Sequence, residues 1–116
     1  MTTNNIDSAL AYYKAFNNRD LPGIAQHLHP NVLFVTAMGE SSGKEAVLEA
    51  AKRLLTIIKC IKIRAKFGSG DQVMLAYDLH YGEPEAVCCA AVLMNFKDDL
   101  IAHIELFYDA RPFGNL

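Results

Sequence analysis

Cysteine is scarce and oddly placed. The chain has three, Cys60, Cys88 and Cys89, an uneven number with no framework spacing, so a disulfide-stapled fold is excluded. Cys88 and Cys89 are consecutive in a strand-like run, where neighbours point to opposite faces, and a bond between them is not expected. Buried free thiols in a reducing compartment are the reading. An excess of one charge is also lacking: 11 Lys and Arg stand against 13 Asp and Glu, a formal net charge of -2 and a pI near 6.0. That leaves no electrostatic footprint for nucleic acid or an anionic membrane. No apolar run approaches the length of a membrane span. The first ten residues, MTTNNIDSAL, offer neither the basic nor the apolar region of a secretion signal. A soluble, cytoplasmic protein is expected. Glycine fingerprints for dinucleotides and the nucleophile elbow of hydrolases are missing. There is no internal repeat, low-complexity tract or linker.

What the chain does have is apolar content, 52% of 116 residues, which suits one domain with a core large enough to enclose a pocket. Ile6, Ala9, Leu10, Tyr13 and Phe16 recur at helical spacing over residues 6 to 18. Asn17-Asn18 ends that helix, and Asp20 reads as the N-cap of a short helix over 21 to 28, with Pro22 in its first turn. Pro30 stops it, and Val32 to Thr36 is a β-branched and aromatic strand. Gly39 to Gly43 reads as a turn, with Ser41 or Ser42 capping a helix from Lys44 to Ile58. The period then changes to two. Ile61, Ile63, Ala65 and Phe67 alternate with Lys62, Arg64 and Lys66, and Gly68-Ser69-Gly70-Asp71 makes a hairpin. Because no helix follows, that glycine pair is no phosphate loop. Val73, Leu75, Tyr77 and Leu79 face away from Asp78 and His80 on the next strand. Ala86 to Phe96 is apolar on both faces, like a central strand. After a turn at Lys97-Asp98-Asp99 the last strand runs from Leu100 to Asp109, and Arg111-Pro112 ends regular structure. The order ααβαββββ is that of an α+β fold.

Tyr12 through Leu21 (Y-x-x-A-x-N-x-x-D-L), Pro30-Asn31-Val32 opening a strand, Gly43-Lys44-Glu45-Ala46, and the closing Ile101 to Asp109 together resemble a SnoaL-like domain of the nuclear-transport-factor-2-like superfamily, over nearly the whole chain. The resemblance implies a curved antiparallel sheet wrapped as a cone around three helices, the cystatin-like α+β roll, with an internal pocket. It also implies a homodimer through the convex face of the sheet. On that face the expected residues are Lys62, Arg64, Lys66, Asp78, Cys89, Ala91, Leu93, His103, Glu105 and Phe107, a mixed-sign rim around small apolar side chains.

Ketosteroid isomerases share this fold and need a carboxylate base, a tyrosine and a protonated acid. Laid on that pattern, Tyr12 takes the tyrosine position, but the base position falls on Thr36 and the second acid near Val92, neither of which can move a proton there. The polyketide-cyclase branch implies a general acid/base at the end of the last strand, where Asp109 stands. Asp109 equally suits a strand-end residue paired with Arg111. The strand from 86 to 97 carries no histidine, and Asn95 is its polar side chain. His103-x-Glu105 and Asp78-x-His80 are same-face pairs, placed on the convex side because the alternate positions Ala102, Ile104, Leu106 and Tyr108 are more apolar. His27-Leu28-His29 lacks a third ligand and does not read as a metal site.

The expected concave wall is Tyr12, Phe34, Thr36, Met38, Leu55, Cys88, Ala90, Val92, Ile104, Leu106 and Tyr108, an apolar cavity suited to a small hydrophobic or aromatic ligand. Neither a cofactor nor a metal is expected. Three functions fit: ligand binding in the cone, cyclase- or isomerase-type chemistry through Asp109 with Tyr12, and a non-catalytic dimeric interaction domain.

Overall fold

The computed structural model describes residues 5–109; the expected Asp109–Arg111 pairing and the ending at Arg111-Pro112 lie outside the described residues. Helix α1 (Asn5–Asn17) carries Asp7 in its first turn and Lys14 in its last, each matched to the local end of the helix dipole. It buries Ala9, Tyr12, Tyr13, Ala15 and Phe16. Asp20 caps α2 (Leu21–Ala25) by accepting a hydrogen bond from the Gly23 N–H at 3.0 Å. A side chain at position 23 would collide with that same carboxylate, so the cap needs glycine there.

The strands are β1 (Leu28–Thr36), β2 (Gly39–Ser42), β3 (Ile58–Ser69), β4 (Gln72–Tyr81), β5 (Ala86–Lys97) and β6 (Leu100–Tyr108), with α3 (Lys44–Leu55) between β2 and β3. They form one six-stranded sheet in the order β2-β1-β6-β5-β4-β3. Neighbours are antiparallel except β1 and β6, which run parallel. Register breaks in the β1–β6, β3–β4 and β5–β6 ladders add local bend and twist, which is how a sheet curls around helices. The α+β cone is therefore the fold of this chain.

Four local features differ from the sequence reading. Gly39 to Ser42 is a strand, not only a turn. It pairs from Thr36↔Gly39 to Leu33↔Ser42, and its polar Glu-Ser-Ser hid it as a short, blunted edge. Consequently no serine caps α3; Gly43 stands at the N-cap with no side-chain bond. Second, β1 starts at Leu28 and includes Pro30, tolerated because the pairing with β6 is interrupted between Leu28 and Leu33.

Third, α3 stops at Leu55. The Arg19 guanidinium donates to the carbonyls of Leu55 and Ile58 at 2.8 Å and of Lys59 at 3.3 Å, drawing the chain out of the helix. Fourth, a bulge between Ile63 and Ala65 shifts the face of β3. Phe67, paired with Met74, joins the convex side, and Lys66, paired with Leu75, leaves it. A second bulge near Asn95 likewise sets Ala102 aside and buries Ile101.

The outer edge at β3 is closed by a side chain. The Asn17 amide donates to the Ile61 carbonyl at 2.8 Å and accepts from the Ile61 N–H at 2.7 Å, replacing one rung of an absent strand. The core fills the space between helices and concave face, with Ile24, Leu28, Leu75, Met94, Ile101 and Ile104 its largest fully buried side chains.

Candidate functional site

A cavity of about 320 Å³ opens between α3, α1 and the β1–β6 end of the sheet, at the lower end of the range of small-molecule sites. Its origin is local. Helix α3 turns Val47, Ala50 and Ala51 toward the sheet, and the two alanines are too short to reach the opposite wall. That wall consists of Phe34, Thr36, Leu106 and Tyr108, which alternate along β1 and β6 and share one face because Phe34 sits beside Ile104 in the parallel register. Tyr12 and Phe16 close the α1 side, Leu79 contributes from β4, and Met38, Arg53, Leu54 and Ile57 complete the lining. Met38 is 57% exposed and Ile57 36%.

An aromatic cluster backs this wall. Tyr12 meets Tyr13 and Phe16 edge-on, with ring centroids 5.1 and 5.2 Å apart. Tyr13 and Tyr77 share a hydrogen bond between hydroxyls at 3.3 Å. Among the described residues the Tyr12 hydroxyl has no corresponding partner, and its ring lines the cavity. Burial, and secondarily the neighbouring tyrosines, push the Tyr12 and Tyr13 phenols well above their ordinary range; burial does the same to Tyr77. All three are neutral hydrogen-bonding groups at physiological pH. Burial also raises the Cys88 thiol and, on the other side of the molecule, lowers His27.

Of the residues read from the sequence, the structure brings together Tyr12, Phe34, Thr36, Met38, Leu106 and Tyr108. Cys88, Ala90, Val92 and Ile104 point inward as well, but they are buried in the core and lie outside the lining. Leu55 packs against the core while Leu54 takes the cavity position, since consecutive helical residues are turned about 100° apart. Asp109 lies exposed just past β6, outside the lining.

The convex placement of the second constellation is seen directly. Asn95 Nδ2 lies 3.1 Å from His103 Nδ1 across an outward-facing pair, and Arg64, in the bulge between Ile63 and Ala65, lies 3.6 Å from Asp78, whose paired residue on β3 is Lys62. His80 reaches Glu85 at 3.3 Å. His29 accepts from the Asn31 N–H at 3.0 Å. Among the described residues, His, Cys, Asp and Glu gather nowhere in threes able to hold a metal, and no helix is long and apolar enough to cross a membrane.

From α3, sequence reasoning named Leu55 and missed Val47, Ala50, Ala51, Arg53 and Leu54; it also missed Phe16, Ile57 and Leu79. Val47, Ala51 and Leu54 recur at the helical spacing that marks a buried face, but that spacing does not show that the alanines leave a void, and Arg53, one turn below Ala50, carries no signal at all.

The family model of the SnoaL-like domain matches residues 9–104. No curated protein matches the chain by sequence. Among solved structures, a protein from Kribbella flavida is 24% identical, with a TM-score of 0.87 over 95% of this chain and 90% of that one. A nuclear transport factor 2-like protein of unknown function from Cytophaga hutchinsonii is 22% identical, with a TM-score of 0.84 over 97% and 96%. TerC, co-crystallised with polyporic acid, is 22% identical, with a TM-score of 0.81 over 97% and 96%. These likenesses concern the fold.

Proposed function

The chain belongs to the SnoaL-like domain family, and on that premise we propose that it binds a small hydrophobic or aromatic molecule in its cone. The observation that carries this is the chemistry of the lining: aliphatic and aromatic side chains, the Thr36 and tyrosine hydroxyls, one arginine, Arg53, and, among the described residues, no Asp, Glu, His, Cys or Lys. Acid–base catalysis near neutral pH needs a group that titrates in that range. The Tyr12 phenol, pushed far above it, can donate a hydrogen bond but does not exchange its proton. TerC, with the same fold, was co-crystallised with polyporic acid, which supports a small organic molecule as the kind of ligand.

Cyclase- or isomerase-type proton transfer through Asp109 is the second reading. One observation favours it: Asp109 directly follows the cavity-lining Tyr108. Against it stands the exposure of Asp109.

Titrating the protein with naphthol while following its NMR spectrum tests the binding reading. Signals of Phe34, Leu54 and Leu106 are expected to move, and those of Met74 and Val87 on the convex face to stay. Ala50→Phe, which fills the gap under α3, is expected to weaken binding at least tenfold. A spectrum that moves only on the convex face would overturn the proposal.

The convex face supports a further part of this reading, a homodimer through the sheet. Phe67 (68% exposed), Phe107 (48%), Met74 and Val87 are all large apolar side chains presented there. Several such side chains on one face mark an association surface, and a two-fold axis would let the patch cover itself.

A further inference from the structure

We infer that the ligand of the cone is an amphipathic anion, an aromatic or aliphatic carboxylic acid whose tail fills the cavity and whose carboxylate meets Arg53. This rests on the binding reading above and sharpens it to a ligand class.

Among the described residues, Arg53 is the one side chain in the lining with a formal charge at neutral pH. Among the described residues no carboxylate accompanies it there, so they present a single cation over an apolar surface. The neighbouring cations are engaged elsewhere. Lys52 pairs with Glu49 at 3.2 Å, Arg19 donates to three backbone carbonyls, and Lys59 pairs with Glu83. Arg53 has no ion pair or side-chain hydrogen bond among the described residues, and it is exposed.

The competing account is that Arg53 only complements the C-terminal end of α3. That end is already served: Lys52 lies in the same turn, Arg19 takes the Leu55 carbonyl, and the Thr56 hydroxyl takes the Arg53 carbonyl at 2.6 Å. These donors also offset the negative pole of the helix, which would otherwise oppose an anion at this position. A guanidinium offers two parallel donors that match a carboxylate. Exposed Met38 and Ile57 belong to the same lining and add apolar contact for the acid's stem. A neutral ligand leaves the guanidinium unused, and an amine is repelled by it.

Size agrees. A volume of about 320 Å³ is on the order of ten water-sized groups at ~30 Å³ each, which accommodates a single ring with a short chain or a medium-length acyl tail.

The test uses matched probes that differ only in the headgroup: phenylbutyrate, phenylbutanol and phenylbutylamine, with octanoate and octanol as an aliphatic pair. Affinities are measured by calorimetry at low and at moderate salt on the wild type, Arg53→Met and Arg53→Lys. The acids are expected to bind about tenfold more tightly than the alcohols, equivalent to ~1.4 kcal/mol, and the amine most weakly. R53M should erase the preference for acid over alcohol, and R53K should retain part of it. Salt should weaken acid binding alone.

Equal binding of acid and alcohol by the wild type, or a preference that survives in R53M, would overturn the anion assignment and leave the apolar binding reading standing. If none of the probes binds at millimolar concentration, the binding reading itself falls, and this assignment with it.

Discussion

Asn17→Ala should destabilise the protein far more than truncating an exposed polar side chain normally does. The wild-type amide makes two short hydrogen bonds to the same residue of β3, donating to the Ile61 carbonyl and accepting from the Ile61 N–H. Alanine removes both and leaves the strand's own polar groups without a protein partner. A neutral hydrogen bond is worth about 1 kcal/mol net, and an orphaned buried group costs about 1–3 kcal/mol. Water reaches part of this edge, so the sum falls near 2–3 kcal/mol. At ~2.1 cal/mol/K per residue, unfolding of 116 residues carries an entropy of about 0.24 kcal/mol/K. The melting temperature should therefore drop by roughly 10 °C, read by calorimetry.

Asn17→Asp supplies the sign check. Its carboxylate still accepts from the Ile61 N–H but faces the Ile61 carbonyl, so the charged form is disfavoured in the fold. A protonated acid donates to that carbonyl instead. The folded pKa then lies above the unfolded value, and this stabilisation is present below the unfolded pKa and lost as pH rises through the folded one. N17D should thus recover toward wild type at acidic pH, whereas N17A should show a deficit independent of pH. A loss below ~1 kcal/mol in N17A, or an N17D deficit that ignores pH, would refute the idea that this amide acts as a strand rung.

Two further outcomes are expected. Tyr13→Phe and Tyr77→Phe should each cost about 1–2 kcal/mol, because each leaves the other hydroxyl buried without its 3.3 Å partner, while the double variant should cost less than the sum; additive losses in denaturant melts would show that the two hydroxyls do not depend on each other. Phe107→Glu should convert a dimer into a monomer by light scattering, with the fold preserved, because residue 107 is half exposed on the convex face; a wild type that is monomeric at micromolar concentration would remove the dimer proposal.

How much was legible in the sequence follows from which interactions are local. Helix and strand periodicity, the Asp20 cap and the sorting of β5, and of β6 from His103 onward, into inward and outward faces all depend on residues near each other in the chain, and these readings agree with the structure. The misses share another cause. The end of α3 is decided by Arg19, 36 residues before Leu55. The face of Lys66 and Phe67 is decided by a bulge against β4, since one extra residue inverts every side chain beyond it. The cavity belongs to this second class. Thr36, Leu106 and Tyr108 announce an inward face by alternation, but an inward face is a cavity only where the opposing surface is short. In this fold it is short at Ala50 and Ala51 and filled over Val92 and Ile104, which are fully buried. No pattern within a strand distinguishes those two situations, because the difference lies in the helix across from it. The same holds for Arg53. Along α3 it is one more exposed basic residue, and only the absence of any carboxylate on the facing wall makes it the charge a ligand would meet.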